Sequence, residues 1–506
     1  MPPTSTPDSN ANIARHLARM AAAQPATVAL KIPRGRTRSG EIDYLTLSFA
    51  ELDAEVAAWC ARLTSAGIRR GDRTLVMVRQ GLPLIASAFA LFRVGAVPVI
   101  IDPGMGLKNF LGCVARARPR ALVGIPLAQV VSRIFRAKFR SVEVRVTASP
   151  SLTARLNTGA GASATNAQLA ASTPDELAAI LFTSGSTGAP KGVCYEHGMF
   201  EAQVRLIRET YGIKPGEIDL PLLPIFALFN PALGMTTIVP EIDPRRPADV
   251  DPAKIVQAIR QEKVTNSFGS PTLWKKIGDH CLQKRLALPS LRRVLCAGAP
   301  VPAALWRSSQ EFLTRGQLHS PYGATEALPV ASVSADDIAS AAGRGACVGK
   351  PVCEIEVKII AITDAPIAAL ADARELPRGE IGEIIVRGPV VTKFYDAQPD
   401  ATALAKIPDF PDPRPQSGIA WATAVISTPK GSSGFAAARP SGSRPPPARC
   451  TRNPASAFSG RTNLSRAARW SASARAGRSA RRSSSSSTCR IPARALLSRA
   501  SCGASR

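Results

Sequence analysis

The residues best suited to chemistry sit in one short run, Ile180–Val193, which reads ILFTSGSTGAPKGV. An apolar strand delivers a loop of Thr183, Ser184, Gly185, Ser186, Thr187 and Gly188, with Lys191 just beyond it. Glycines let backbone N–H groups approach a ligand closely, hydroxyls donate hydrogen bonds, and the lysine adds positive charge. That combination suits the β- and γ-phosphates of a nucleotide. It is not a Walker A loop, because Pro190 stands where that motif has its last glycine. Three glycines, four hydroxyls and a lysine at one strand end weigh against an idle polar loop.

Three later stretches carry the same kind of signal: CAGAP (Cys296–Pro300), PYGATEA (Pro321–Ala327) and GEIGEIIVRGPVV (Gly379–Val391). Together with TSGSTGAPKG, and in this order, they resemble the core motifs of the adenylate-forming superfamily. That superfamily includes acyl-CoA synthetases, peptide adenylation domains and luciferases. The resemblance implies that Gly298, Ala299 and Pro300 pack on adenine and that Tyr322, followed by Gly323, stacks nearby. It implies Thr325 at the α-phosphate, Glu326 holding Mg²⁺, and ATP as the nucleotide. The physical logic agrees: a carboxylate attacking the α-phosphate needs the triphosphate charge neutralised, which a metal, hydroxyl donors and Lys191 would supply. A solvated loop acid is the alternative for Glu326, and buried packing is favoured over nucleophilic chemistry for Cys296.

A narrower resemblance lies in Tyr195–Pro244 and in Val76–Gly106, which are similar to the β-lactone synthetases of bacterial long-chain olefin biosynthesis. In most acyl-CoA ligases an aromatic residue or histidine follows the PxF sequence. Here Pro224-Ile225-Phe226 is followed by Ala227, Leu228, Phe229 and Asn230. A small residue at that gate suits a bulky acyl tunnel, so Phe226, Phe229 and Asn230 become candidate contacts to a fatty-acid-type substrate. Core packing is the other reading of the two phenylalanines. The resemblance implies adenylation of a 2-alkyl-3-hydroxy acid, whose own hydroxyl then closes a four-membered lactone. An intramolecular nucleophile has a large effective concentration, so no CoA thiol is needed. Fatty acyl-CoA or acyl-AMP ligation is the runner-up, and a non-catalytic acyl or nucleotide binder is the reading from a different class. Association with other enzymes of the olefin pathway is also implied. His197, in YEHG where the sequence suggests a helix start, reads equally as a capping or packing residue and as a substrate contact.

These motifs need rigid elements behind them. From about residue 26 to 405, apolar strands alternate with amphipathic helices, as in LTLSFAELDAEVAAWCARLTSAGI with Ser48 as N-cap. Strands apolar throughout imply parallel sheets covered on both faces. The expected fold is therefore α/β, a large domain of two parallel-type subdomains. Alternating EIEVKII and GEIGEIIVRG add a small antiparallel β unit. The most apolar run, LPLIASAFALFRVGAVPVII, contains Arg93, Gly95 and Pro98, and reads as helix, turn and strand rather than a membrane span. Residues 1–25 read as a polar leader without a signal-peptide core. Ten cysteines with no CxxC spacing point to reduced thiols and a cytoplasmic protein.

The last fifth of the chain is different. Phe410–Arg506 carries 17 Lys+Arg against a single acid, Asp412, and so supplies 16 of the +27 formal charge. The body gives no reason to expect nucleic acid as a partner, although the tail could bind it non-specifically. Residues 406–506 are rich in Arg, Ser, Ala, Pro and Gly, and about 95 of them are expected to lack order. The superfamily's GDxGYxD motif, GRK hinge and small domain with a catalytic lysine should follow, and none is present. Codon arithmetic suggests why. If each codon of Ser417–Pro440 starts one base earlier, Ser-Gly becomes NGG (Trp), Gly-Ile becomes NAT (His) and Trp-Ala becomes GGC (Gly). The whole stretch is compatible with WHRMGDxGYLDxxGxxWFCGRKA. A shift of reading frame between Ile407 and Ser417 is therefore expected, with a functional basic tail as its rival.

Overall fold

The opening elements show how local sequence sets the architecture. Strands β1 (Val28–Arg36) and β2 (Ile42–Ser48) pair antiparallel, and the chain turns directly into the helix Phe49–Ser65. The Ser48 hydroxyl accepts from the Glu51 amide at 3.2 Å, and the Glu51 carboxylate accepts from the Ser48 amide at 2.7 Å. This reciprocal box satisfies two otherwise orphaned donors of the first turn. The structure, a computed structural model, describes residues 10–148, 169–183, 190–243, 249–340, 346–377 and 379–408, with three short strands farther on.

A six-stranded sheet comes next. It is built from β3 (Arg73–Met77), β4 (Val97–Ile101), β5 (Ala121–Gly124), β6 (Val144–Thr147), β7 (Leu177–Thr183) and β8 (Lys191–Glu196), in the order β6-β5-β3-β4-β7-β8. All its pairings are parallel except the β7–β8 hairpin. The run LPLIASAFALFRVGAVPVII supplies the helix Leu82–Arg93 and then β4. Arg93 is buried there against Asp53, which offsets the charge that the apolar pattern carries inside. No described helix is long and apolar enough to cross a membrane.

The second sheet takes β9 (Ile218–Asp219), β10 (Thr236–Ile238), β11 (Asn266–Gly269), β12 (Arg293–Cys296), β13 (Gln317–Ala324), β14 (Ala327–Ser334) and β15 (Ala346–Pro351) onto the first hairpin. Its order is β2-β1-β10-β9-β11-β12-β13-β14-β15, parallel from β1 through β13 and antiparallel at the ends. A small unit pairs β16 (Glu356–Ile360) antiparallel with β17 (Ile381–Arg387), and β18 (Lys406–Pro408) lies near it. The fold is thus α/β with two mainly parallel sheets and a lesser β unit, as the patterning suggests.

Two boundaries differ from the sequence expectation. The helix Arg15–Ala23 lies within the supposed leader, yet Leu17 is fully buried and Asn12 donates to the Phe92 carbonyl at 2.7 Å. Ile13, Ala14 and Leu17 join the core here beside the one buried amide, so the segment is docked despite its polar residues. Beyond residue 409, where no strand is expected, β19 (Ala422–Ile426), β20 (Phe435–Ala436) and β21 (Phe458–Gly460) occur. β19 lies between β17 and β18, β20 also pairs with β17, and β21 extends β15. An open sheet edge recruits extended backbone through main-chain hydrogen bonds, whatever the side chains.

Candidate active site

Lys191 starts β8 and faces Thr183, the last residue of β7, across the hairpin. The loop between them, Ser184 to Gly188 with Thr183's side chain, lies outside the described residues, so the candidate phosphate contacts rest on sequence alone. Gly298, Ala299 and Pro300 follow β12 at its C-terminal end and are exposed there. Gly298 has φ +88°, which an L residue adopts only with strain. Tyr322, Gly323, Thr325 and Glu326 form the tip of the β13–β14 hairpin, and β13 runs parallel beside β12. A Cβ on Gly323 would stand 2.6 Å from the Ala327 carbonyl oxygen, at a register shift in the hairpin. Only glycine allows that close turn.

The tip is fastened from three sides. The Tyr195 hydroxyl of β8 donates to the Thr325 carbonyl. Thr392 donates twice to the Glu326 carbonyl, from its amide at 2.8 Å and its hydroxyl at 3.0 Å. The Tyr395 hydroxyl donates to Glu326 Oε1 at 2.8 Å. Tyr395 is brought here because its backbone bridges to Val193, with Asp396 N–H donating to the Gly192 carbonyl at 2.7 Å. Lys191 Nζ then lies 4.8 Å from the Tyr395 ring centroid, and Lys406 Nζ lies 5.7 Å from it. Lys406 also donates to Thr392 Oγ1 at 3.1 Å. Burial pulls its ammonium down to about 7; Glu326 opposes that shift and Lys191 adds to it. The same burial drives the Tyr395 phenol far up, so it stays a proton donor. Lys191, Lys406 and Glu326 thus converge on Tyr395, while Tyr195 holds Thr325 at the same hairpin tip.

The acyl candidates stand near the adjoining strand ends. Residues Pro224–Phe229 form a 3-10 turn in which Phe226 stacks on Phe268 of β11, with centroids 3.6 Å apart, and meets Phe229 at 6.3 Å. Both Phe226 and Phe229 are partly buried, whereas Ala227 is buried. Phe268 pairs with Leu295 of β12, just before the Cys296–Pro300 segment. Asn230 does not join them. Its amide donates to Asp219 Oδ2 at 2.9 Å and to Thr237 Oγ1 at 2.8 Å, and the residue is buried. Both amide hydrogens are committed to the fold, so this side chain holds the turn to the sheet instead of facing acyl space.

The family description of AMP-binding enzymes matches residues 17–396. The chain is an AMP-binding enzyme. Among its relatives, the olefin β-lactone synthetase of Xanthomonas campestris pv. campestris is 44% identical over 409 residues, covering 78% of this chain and 72% of the relative. The Stenotrophomonas maltophilia olefin β-lactone synthetase is 43% identical, with 78% and 73% covered. A feruloyl-CoA synthase of Amycolatopsis is 30% identical, with 71% and 68% covered. Among solved structures, the N-terminal domain of FACL13 from Mycobacterium tuberculosis superposes with a TM-score of 0.64 at 20% identity, covering 82% of this chain and 99% of that one. VinN does so with a TM-score of 0.62 at 23% identity, with 78% and 93% covered.

AMP-binding enzymes use ATP, and the site residues here fit a magnesium ion beside it. Glu326 offers a carboxylate whose second oxygen has no hydrogen-bond partner among the described residues, and no cluster of three or more His, Cys, Asp or Glu able to hold a metal occurs among them. Mg²⁺ suits that sparse set, because it takes one or two carboxylates and relies on substrate phosphates. Tyr195, Thr392, Tyr395 and Lys406 were not singled out from sequence. Their positions in YEHG and VVTKFYDAQPDATALAK give no local signal, since only the tertiary bridge to β8 brings the last three to Glu326. His197 resolves as structural: its Nδ1 accepts from the Ile13 amide at 3.3 Å, and burial lowers it to about 4. Cys296 is buried and pushed up to about 12, which leaves no thiolate for catalysis.

Proposed function

We propose that this AMP-binding enzyme activates a 2-alkyl-3-hydroxy fatty acid with ATP and closes it to a β-lactone. The observation that carries the choice of product is the 44% identity to an olefin β-lactone synthetase over 409 residues, against 30% to a CoA-thioester-forming relative. In the first step a substrate carboxylate oxygen attacks the α-phosphorus, the bond to the β-phosphate breaks, and pyrophosphate leaves. In the second the substrate's 3-hydroxyl oxygen attacks the activated carbonyl carbon and gives its proton to solvent, and AMP leaves with the carboxyl oxygen that had attacked phosphorus. Magnesium held at Glu326 supplies charge neutralisation for the phosphates. Tyr395 orients the Glu326 carboxylate, Thr392 and Tyr195 fix the hairpin tip, and Lys191 brings positive charge to the phosphate side. The Phe226–Phe268 stack beside the small Ala227 leaves the acyl chain an apolar wall. Buried free cysteines among the described residues support a cytoplasmic setting, and contact with other olefin-pathway enzymes belongs to the same proposal.

Activity in this chain is expected to be impaired. The family match ends at residue 396, and the ribose-binding aspartate, hinge and catalytic lysine expected next are not in the sequence. We infer that a shift of reading frame between Ile407 and Ser417 replaces them, residues 406–506 being its product. Sequencing the gene tests this: stop codons in the one-base-earlier frame, or no GDxGYxD there, would sink it. Incubating a frame-restored chain with ATP and a 3-hydroxy acid, with and without CoA, tests the chemistry. Lactone without CoA supports the proposal, and a thioester formed only with CoA supports the runner-up.

A further inference from the structure

The helix Pro126–Ile134, between β5 and β6, is built inside out. Its buried residues include polar Gln129 and Ser132, while Leu127, Val130 and Ile134 are 65%, 48% and 68% exposed. Two of the inward polar groups are bonded: Gln129 Nε2 donates to the Val146 carbonyl at 3.0 Å and Ser132 Oγ to the Gln129 carbonyl at 2.8 Å, while Gln129 Oε1 has no partner among the described residues. The three outward side chains are spaced to share one helix face, and they line up beside exposed Arg133, Arg136, Lys138 and Arg140. Just past the helix end, Arg118, Lys138, Arg140 and Ser141 line a cleft. From Leu107 to Arg145 the sequence carries nine Lys+Arg against one acid, Glu143.

We propose that this face docks on an anionic lipid surface, with Leu127, Val130 and Ile134 entering the interface and the surrounding bases meeting phosphate headgroups. Apolar insertion and attraction to acidic lipid add together in such interfacial helices. Charge decides between occupants. A second copy would bring an equally cationic face, and the tail from Phe410 onward has 17 bases and one acid, so both are repelled. The segment 149–168 has no acid and only Leu152 and Leu156 as large apolar residues, too few to cover the stripe. A membrane supplies both the negative charge and the apolar depth. It is also where a long-chain acid partitions, although the docking face does not depend on which acid the enzyme activates.

Flotation of the full chain with phosphatidylcholine vesicles, with and without phosphatidylglycerol, tests this at low and high salt. Wild type is expected to float with the anionic vesicles, and part of that binding is expected to survive high salt, where contacts made by the tail's charges are screened. A variant carrying Leu127→Ser, Val130→Ser and Ile134→Ser should lose the salt-resistant part by about tenfold or more. One carrying Arg136→Glu, Lys138→Glu and Arg140→Glu should bind anionic vesicles more weakly than wild type at low salt, the remainder being the tail's share. The positions are exposed, and an unchanged circular dichroism melt checks that each variant folds. Equal flotation of wild type and the serine variant at both salts would overturn the proposal. So would absence of vesicle binding together with self-association that the serine variant abolishes, or with capture of an acidic protein on the same face.

Discussion

At the scale of single residues, Tyr395 is the side chain on which the site turns. Its hydroxyl holds Glu326 Oε1, and its ring lies beside Lys191 and Lys406. Tyr395→Phe removes the hydroxyl and keeps the ring. A hydrogen bond to a charged group is worth about 1.5–3 kcal/mol, so calorimetric titration should show MgATP binding at least about tenfold weaker. Binding of ATP without magnesium should change less, and the thermal midpoint should hold. A second residue-scale expectation concerns His197. Its folded-state value of about 4 lies below its ordinary 6.5. As pH falls from 6.5 towards 4 the unfolded chain takes up a proton that the folded chain refuses, so stability is lost across that window, on the order of 3 kcal/mol. Asp219, raised to about 6 by burial, acts in the opposite direction, because the folded state protonates it first. His197→Asn keeps an acceptor for Ile13 but does not titrate. The gap in melting temperature between wild type and H197N should therefore narrow as pH drops from 6.5 to 4.

At the scale of elements, the β13–β14 hairpin is the part most sensitive to a single atom. Gly323→Ala places a methyl 2.6 Å from the Ala327 carbonyl, so the tip must move. The variant should lose about 1–3 kcal/mol of stability in denaturant melts and most of its MgATP affinity. Gly216→Ala, with φ +85° and open space around it, should lose stability without comparable loss of affinity. This hairpin also shows what the sequence made legible. PYGATEA announces a tight turn bearing an acid, and the apolar strands on either side announce a buried sheet, because pattern and period are local properties. Tyr395 and Lys406 are not legible in that way. They reach Glu326 through a bridge between residues 193 and 395, which no periodicity reveals. Asn230 misleads for the reverse reason: a polar residue after an apolar gate resembles a ligand contact, yet Asp219 and Thr237 claim it. The helix Arg15–Ala23 is hard to read from sequence because Leu17 is the one buried residue within it, the other buried anchors, Ile13 and Ala14, lying just before it.

At the scale of the whole molecule, the chain joins an acid-activating body to a sequence that does not continue the family. The family match covers residues 17–396, and under the proposed shift of reading frame the region that would hold the ribose and deliver the catalytic lysine is replaced. The purified 506-residue protein is therefore expected to bind nucleotide weakly and to show little ATP–pyrophosphate exchange. Robust exchange would mean that the body suffices alone. β19 covers the β17 edge that loss of the family's continuation would otherwise leave open, so the body should still melt as a folded protein despite the altered tail. The most direct measurement is product analysis on a chain read one base earlier beyond Ser417, given ATP, magnesium and a 2-alkyl-3-hydroxy fatty acid without CoA. AMP and a β-lactone in equal amounts are the expected result. AMP release only when CoA is present, with a thioester as product, would contradict it.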